Sequence, residues 1–388
     1  MDQERLYLDF NATSPLSQSV SGWLKSGEVL FANPSSQHSA GKSTRKIINE
    51  SRTQIRELFQ KSEKDFQLFF HSGATEAMVT FAYSFSEWAR LTGKDLLVCY
   101  SKLDHPAVTA LSERYFGPQV KFLELHMTQD LEYDHDQNLK SIQDKKDNNP
   151  DLIILYHHLW VHNETGIVSA LEDLKNLKQI PDLYIHVDAV QAPGKIVNWK
   201  SLDVADIFTF SAHKFGALKG IGFSFLNKSI PFSPLISGGA QQSGLRSGTE
   251  NPQGVKSIAL AFKDLESINV QKTITQRENL ESFIQEELTG KGEIISKRGR
   301  LRSSNTIYFY LNNLSSDIAL ALFDLNGLMI SAGSACSSGA AKSSSLLLHM
   351  GLTQVAKNGL RLSFGFDLSE AELSLIKQKF HSILAKVK

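Results

Sequence analysis

The stretch Ile207–Gly222 reads IFTFSAHKFGALKGIG. Ile207–Phe210 is a short apolar run of the kind that makes a buried strand. It ends in Ser211-Ala212-His213-Lys214, and Gly216, Gly220 and Gly222 follow closely. Glycines at that density let the backbone turn sharply and approach a bound molecule. Most lysines are solvated, so a loop lysine is the plain reading of Lys214 taken alone. At the end of a buried strand, however, desolvation lowers the pKa of an amine. The neutral, nucleophilic form then comes within reach, which makes Lys214 a candidate for Schiff-base chemistry.

A second stretch, Leu183–Lys195, reads LYIHVDAVQAPGK. Tyr184–Val187 is another apolar run, and it ends in Asp188. Carboxylates are uncommon in buried strands, so one at a strand end is paired or at work. Pyridoxal phosphate (PLP) needs a lysine for its aldehyde and an acid to keep its pyridine nitrogen protonated. Asp188 and Lys214 lie on successive strand-like segments, whose ends can meet on one edge of a sheet.

The bulk properties suit a soluble globular protein of two or three domains. The chain has 388 residues, 41% hydrophobic and 21% charged. Lys+Arg and Asp+Glu both number 41, so nothing suggests general nucleic-acid or membrane-surface binding. The opening MDQERLYLDF lacks a signal-peptide pattern, and no run of apolar residues is long enough for a membrane span. Two cysteines cannot build a disulfide framework, which points to a reducing cytoplasm.

Other segments repeat the pattern. Leu6–Phe10 reads as a strand, followed by the turn cluster Asn11-Ala12-Thr13-Ser14-Pro15. After the polar loop FANPSSQHSAGK (31–42), Ser43 or Thr44 is expected to cap a helix running to about Phe59. Asp65–Phe70 reads as a strand. Ser72-Gly73-Ala74-Thr75 then opens a helix, an arrangement in which free N–H groups and the helix dipole make an anion cradle. Asp95–Tyr100, Lys121–Leu125 and Leu152–Tyr156 read as further strands. His105 opens a helix and is placed to lie flat on a planar ring. His157, His158 and His162 do not match a strong zinc spacing, so no metal is expected. Strand–helix alternation from about residue 65 to 225 argues for a mostly parallel sheet covered on both faces. Ligands of such sheets bind beyond the carboxyl ends of the strands, where Thr75, His105, Asn163, Asp188 and Lys214 all fall.

Ile236–Asn251, ISGGAQQSGLRSGTEN, is a Gly/Ser-dense loop with residues suited to phosphate. A long amphipathic helix is expected from Pro252 toward Leu288. Ser303–Leu311 and Gly327–Ser331 then read as strands of a smaller domain. Ser331–Ser345, SAGSACSSGAAKSSS, reads as a mobile loop with Cys336 in its middle. A free cysteine in an exposed loop is a candidate nucleophile. Leu360–Gly365 reads as a strand whose Arg361 can clamp a carboxylate bidentately. The tail from Leu368 is amphipathic.

The stretches YLDFNATSP, NPSSQH, SGATEA, HPAV, HNETG, HVDAVQ, SAHK, GLRSGTEN, GSACSSG and RLSFG stand in one order and spacing. Together they resemble the cysteine desulfurases of the NifS/IscS type, in class V of the fold-type I PLP enzymes. The resemblance covers nearly the whole chain. It implies an α/β fold, with a large PLP-binding domain (15–255) built on a mostly parallel seven-stranded sheet. A smaller α+β domain (1–14 and 256–388) would carry the cysteine loop. It further implies that Lys214 holds PLP as a Schiff base, that Asp188 binds the pyridine nitrogen and that His105 stacks on the ring. Gln191 and Asn163 would reach the ring oxygen. Gly73, Ala74, Thr75, Ser211 and His213 would hold the phosphate, joined by Thr249 from the second subunit of a homodimer. Arg361 and Asn33 would hold the carboxylate of L-cysteine. Cys336 would take the sulfur as a persulfide, leaving alanine, and pass it to an acceptor protein.

Some positions depart from the family pattern. His162 stands where asparagine is usual, and Met78-Val79 replace more polar residues. The loop after Cys336 lacks the usual acidic and proline residues, and the chain ends without the longer tail of housekeeping members. These departures leave the sulfur acceptor open, whether it serves iron–sulfur assembly, tRNA thiolation or another pathway. Alternatives in the same class are a selenocysteine lyase, a cysteine sulfinate desulfinase and a small-amino-acid aminotransferase. A non-catalytic sulfur-handling protein would have no reason to keep Lys214, Asp188, His105 and Cys336 together.

Overall fold

The computed structural model describes residues 4–111, 116–298, 301–333 and 343–387. Cys336 and most of its loop lie outside the described residues. The chain begins with β1 (Leu6–Tyr7), α1 (Gln18–Lys25), α2 (Ser39–Leu58), β2 (Phe66–His71) and α3 (Ala74–Thr92). It continues with β3 (Leu96–Tyr100), α4 (Pro106–Thr109), β4 (Val120–Glu124), α5 (His135–Asn148) and β5 (Ile153–Leu159). Next come β6 (Leu183–Asp188), β7 (Ile207–Ser211), β8 (Gly222–Asn227), α6 (Pro252–Leu265), α7 (Val270–Glu287) and β9 (Gly292–Ile294). The chain finishes with β10 (Thr306–Leu311), α8 (Ser316–Leu325), β11 (Leu328–Met329), β12 (Ser331–Ala332), α9 (Ser345–His349), β13 (Gly359–Ser363) and α10 (Glu370–Leu384).

The large sheet has seven strands in the order β2-β8-β7-β6-β5-β3-β4. Neighbours from β7 to β4 pair in parallel, and β8 runs antiparallel to both β7 and β2. The sheet is buried on both faces, which is why β5 is buried along its whole length. On one face α3 lays down Ala77, Phe81, Phe85 and Ala89, spaced four apart, against Phe69, Val98 and Ile207. On the other face Phe208, Phe210, Phe223 and Phe225 meet Phe59, Trp199 and Phe262. The described residues include no helix long and apolar enough to cross a membrane.

A second sheet, β12-β13-β10-β9, is antiparallel and packs with α7, α8 and α10 around its own core of Ile307, Phe309, Phe323, Leu362 and Phe380. Parallel pairing of β1 with β11 draws the N-terminal strand into this lobe. A capping box between Ser369 and Glu372 starts α10.

Two boundaries differ from expectation. The amphipathic run from Pro252 is two helices, because Asn269 caps α7 through the Lys272 amide (3.1 Å). Val255, Ile258 and Phe262 of α6 join the large-sheet core, whereas Leu280 and Ile284 of α7 join the small one. Helix α2 starts earlier than Ser43, with His38 Nδ1 accepting from the Gly41 amide (3.2 Å). Ser39-Ala40-Gly41 carries no apolar stripe to reveal that first turn.

Arg302 links the lobes. It bridges to Ile167 on the large-lobe side and pairs with Glu281 of α7 at 2.7 Å, both side chains being nearly inaccessible. Glu281→Ala strands a buried guanidinium, and an expected loss of about 3–5 kcal/mol of stability follows. Glu281→Met with Arg302→Met should recover most of it. Urea unfolding of the three proteins checks both statements.

Candidate active site

The carboxyl ends of β2, β3, β5, β6 and β7 share one edge of the large sheet, and the chemistry-bearing residues gather there. Lys214 closes a short turn after β7. The N-terminal segment crosses that turn: Ser14 N donates to His213 O (2.8 Å), Ser14 Oγ to Lys214 O (2.9 Å) and Ser17 N to Gly216 O (2.9 Å). A Cβ on Gly216, at φ 91°, would sit 3.0 Å from Ser17 Cβ, so the crossing requires glycine there. Lys214 Nζ donates to the carbonyls of Asn11 (2.9 Å) and Ala12 (2.8 Å).

Asp188 ends β6, in register with Thr209 of β7. Its Oδ1 accepts from Val190 N at 3.0 Å. Burial pushes this carboxyl up to about 6, against the Val190 hydrogen bond and the charge of Lys214. His105 Nδ1 accepts from Ala107 N (3.1 Å) and so caps α4. Burial, and then the charge of Lys214, hold its imidazole below the usual range. Because Nδ1 accepts, the neutral ring carries its proton on Nε2. Lys214, Asp188 and His105 thus follow the carboxyl ends of β7, β6 and β3, and the charge of Lys214 reaches both of the others.

Beside them, Gly73, Ala74 and Thr75 open α3, whose first-turn amides have no partner within the helix. The nearest atom to a Cβ built on Gly73 is Ser211 Oγ, at 3.8 Å. His213 Nδ1 lies 3.2 Å from Thr13 Oγ1. Arg246 pairs with Glu76 at 3.0 Å and offsets the acid in that first turn.

Gln191 Nε2 donates to Asn11 O (2.9 Å). The Asn163 carbonyl accepts from Asn11 Nδ2 (3.1 Å) and from Arg361 Nη1 (3.1 Å). Arg361, on β13, also pairs with Asp9 Oδ1 at 2.6 Å and leaves Nε without a partner among the described residues. Asn33 and Thr249 are exposed on loops, with Asn33 Oδ1 accepting from Ser35 N (2.9 Å). In place of the usual asparagine, His162 Nδ1 accepts from the Glu164 (3.3 Å) and Thr165 (3.2 Å) amides, as an asparagine oxygen would in an Asx turn. Met78 is buried in the α3 core.

Several neighbours were not singled out by sequence. Asn11 is the hub of the site, bonding Lys214, Gln191, Asn163, Thr306 and Ser363. Lys195 is buried beside Gln191, and Asp9 holds Arg361. Asp104, next to His105, accepts from Ser101 N (2.9 Å) and is pushed up to about 7 by burial. Among the described residues no cluster of His, Cys, Asp and Glu is suited to a metal.

An amine, a buried carboxyl and a neutral imidazole on one sheet edge, beside a helix start with a close hydroxyl, form the donor set that pyridoxal phosphate takes. The residues present fit that group. The aminotransferase class-V family model matches residues 6–376. A cysteine desulfurase IscS of Dictyoglomus turgidum is 30% identical over 395 residues, covering 100% of this chain and 96% of the relative. The chain belongs to the class-V aminotransferase family, among its cysteine desulfurases. A putative cysteine desulfurase IscS 1 of Bacillus subtilis is also 30% identical, over 93% of this chain and 94% of that one. A solved NifS-like protein superposes with a TM-score of 0.83 at 25% identity, over 98% of this chain and 99% of that one. The structure of SspA in complex with cysteine follows at 0.73 and 25%, over 92% and 98%. Enzymes of this family depend on PLP.

Proposed function

We propose that the chain converts L-cysteine to L-alanine and moves the sulfur onto an enzyme thiol. This reading is supported by the placement of Lys214, Asp188 and His105 after the carboxyl ends of β7, β6 and β3, on one edge of the sheet, in a chain whose full-length relatives are cysteine desulfurases. When bound, PLP supplies an aldehyde carbon for amines and a conjugated ring that withdraws electrons from the substrate's Cα. Lys214 would supply the amine that anchors the cofactor, and its Nζ is the group that would move the substrate's Cα proton. Asp188 holds the proton on the pyridine nitrogen. His105 covers the ring and, being neutral through Nε2–H, offers a hydrogen bond toward the substrate. Gln191 and Asn163 orient the ring oxygen. The α3 amides of Gly73, Ala74 and Thr75, with Ser211 and His213, take the phosphate, and a second copy of the chain brings its own Thr249. Arg361, held by Asp9, and Asn33 take the substrate carboxylate.

Cys336, which lies outside the described residues, is the thiol of the reaction. The substrate C–S bond breaks, an S–S bond forms to Cys336, and the substrate carbon takes up a proton to leave alanine. A separate acceptor protein in the cytoplasm then collects the sulfur. The test is alanine release from cysteine, with mass spectrometry of the labelled residue. Cys336→Ala should keep the bound cofactor's absorbance and lose the persulfide. Alanine and sulfide release by that variant at the wild-type rate, without added thiol, would overturn the assignment.

A further inference from the structure

Lys195 is a second lysine at the site, 1% exposed and among the largest fully buried side chains of the protein. It lies in the turn after β6. Its backbone is pinned on both sides, Lys195 N donating to Ala192 O (3.0 Å) and Ser304 N donating to Lys195 O (2.7 Å). Its Nζ has two acceptors, Asn11 Oδ1 at 3.1 Å and Gln191 Oε1. Both are neutral amide oxygens, and no carboxylate pairs with Lys195 among the described residues. The charged groups that act on it are Lys214, beyond β7, and Arg361, on β13, and both disfavour a further positive charge. A neutral amine has two N–H bonds, and this site offers two acceptors. An ammonium would carry a third N–H and a buried charge with nothing opposite it, which is costly.

The amide of Gln191 is thereby oriented. Its oxygen faces Lys195, and its Nε2 faces the Asn11 carbonyl at 2.9 Å, the same carbonyl that accepts from Lys214. The reversed amide would set oxygen against the Asn11 carbonyl oxygen. We propose that Lys195 is a positioning residue: as a neutral amine it locks Gln191 so that an N–H, rather than an oxygen, is presented beside Lys214 to the ring oxygen of the bound cofactor.

This inference rests on the cofactor reading and deepens it. A donor at the ring oxygen stabilises its ionised form and weakens its hold on the proton at the lysine-bound nitrogen. Losing that donor should raise the pH midpoint of the visible absorbance change. One net hydrogen bond corresponds to a shift of about half to one pH unit. The experiment titrates the cofactor-loaded wild type, Lys195→Met, Gln191→Ala and the double variant, following absorbance in the absence of cysteine. Lys195→Met should raise the midpoint in the wild-type background and leave it unchanged in the Gln191→Ala background, as expected of two residues acting as one unit. An unshifted midpoint, or the same shift in both backgrounds, would overturn the proposal, the latter because it would mean that Lys195 acts as a charge or by packing. If Lys195→Met does not fold, Lys195→Gln, which keeps N–H donors, replaces it and should shift the midpoint less than Gln191→Ala does. A wild type that shows no visible band after loading would sink the cofactor reading itself, an outcome separate from either result for Lys195.

Discussion

Lys214→Ala should remove the visible absorbance of the loaded protein and reduce alanine formation from cysteine. Loss of the positioned proton transfer alone accounts for about 10²–10⁴-fold. Loss of covalent anchorage adds to that. The fold should survive, because Ser14 and Ser17 hold the crossing of the N-terminal segment through backbone bonds to His213 and Gly216, which do not involve the Lys214 side chain. Lys214→Arg separates the possible causes. It keeps a cation beside Asp188 and His105 and keeps donors for the two carbonyls, but it is no nucleophile at neutral pH. Arg at 214 should therefore be as inactive as Ala. Turnover near the wild-type level in either variant would remove Lys214 from the chemistry.

The residues that sequence reading located are those whose position follows from local pattern. Lys214, Asp188 and His105 each end or follow an apolar strand, and parallel strands bring such ends to one edge whatever their order in the sheet. Asn11 and Lys195 escaped because their roles arise from contacts across long separations. Asn11 meets Lys214 from 203 residues away and Lys195 from 184. In the sequence Asn11 is one more polar residue in a turn cluster, and Lys195 looks like a solvated lysine after Pro-Gly. The only local signal was that Lys195 follows Asp188 within the same turn. The break between α6 and α7 was hidden for a different reason. Both helices are amphipathic, and only the Asn269 cap marks where the apolar face passes from one core to the other.

The histidines make the protein sensitive to acid. His71, His157, His158 and His186 are buried and His162 partly so, and desolvation holds all of them below the usual imidazole range: His71, His157 and His162 at about 4, His158 at about 3 and His186 well below its ordinary value. His186, Thr209, Ser224 and His71 form a hydrogen-bonded row across the sheet, with bonds of 2.8, 2.9 and 3.0 Å. Imidazolium has no place in such a row. Each of these histidines contributes stability that is complete above the unfolded value of 6.5 and is lost as the pH falls toward its folded value. Three carboxyls act in the opposite sense. Burial raises Asp104 and Glu164 to about 7 and Asp188 to about 6, so their contribution is complete below the unfolded carboxylate range and is lost as the pH rises through 6–7. Near pH 7 the two groups nearly cancel. Around pH 5 these five histidines, joined by His213 at about 4 and by His105, outnumber the three carboxyls, so unfolding takes up at least about two protons, equivalent to roughly 3 kcal/mol or more of stability lost per pH unit. Urea midpoints should be level between pH 8 and 7 and fall steeply below pH 6. His157→Leu, which removes one buried imidazole whose Nε2 has no partner among the described residues, should reduce that slope by about one proton. A profile that stays level to pH 5, or a His157→Leu slope equal to that of the wild type, would show that these imidazoles do not control acid stability.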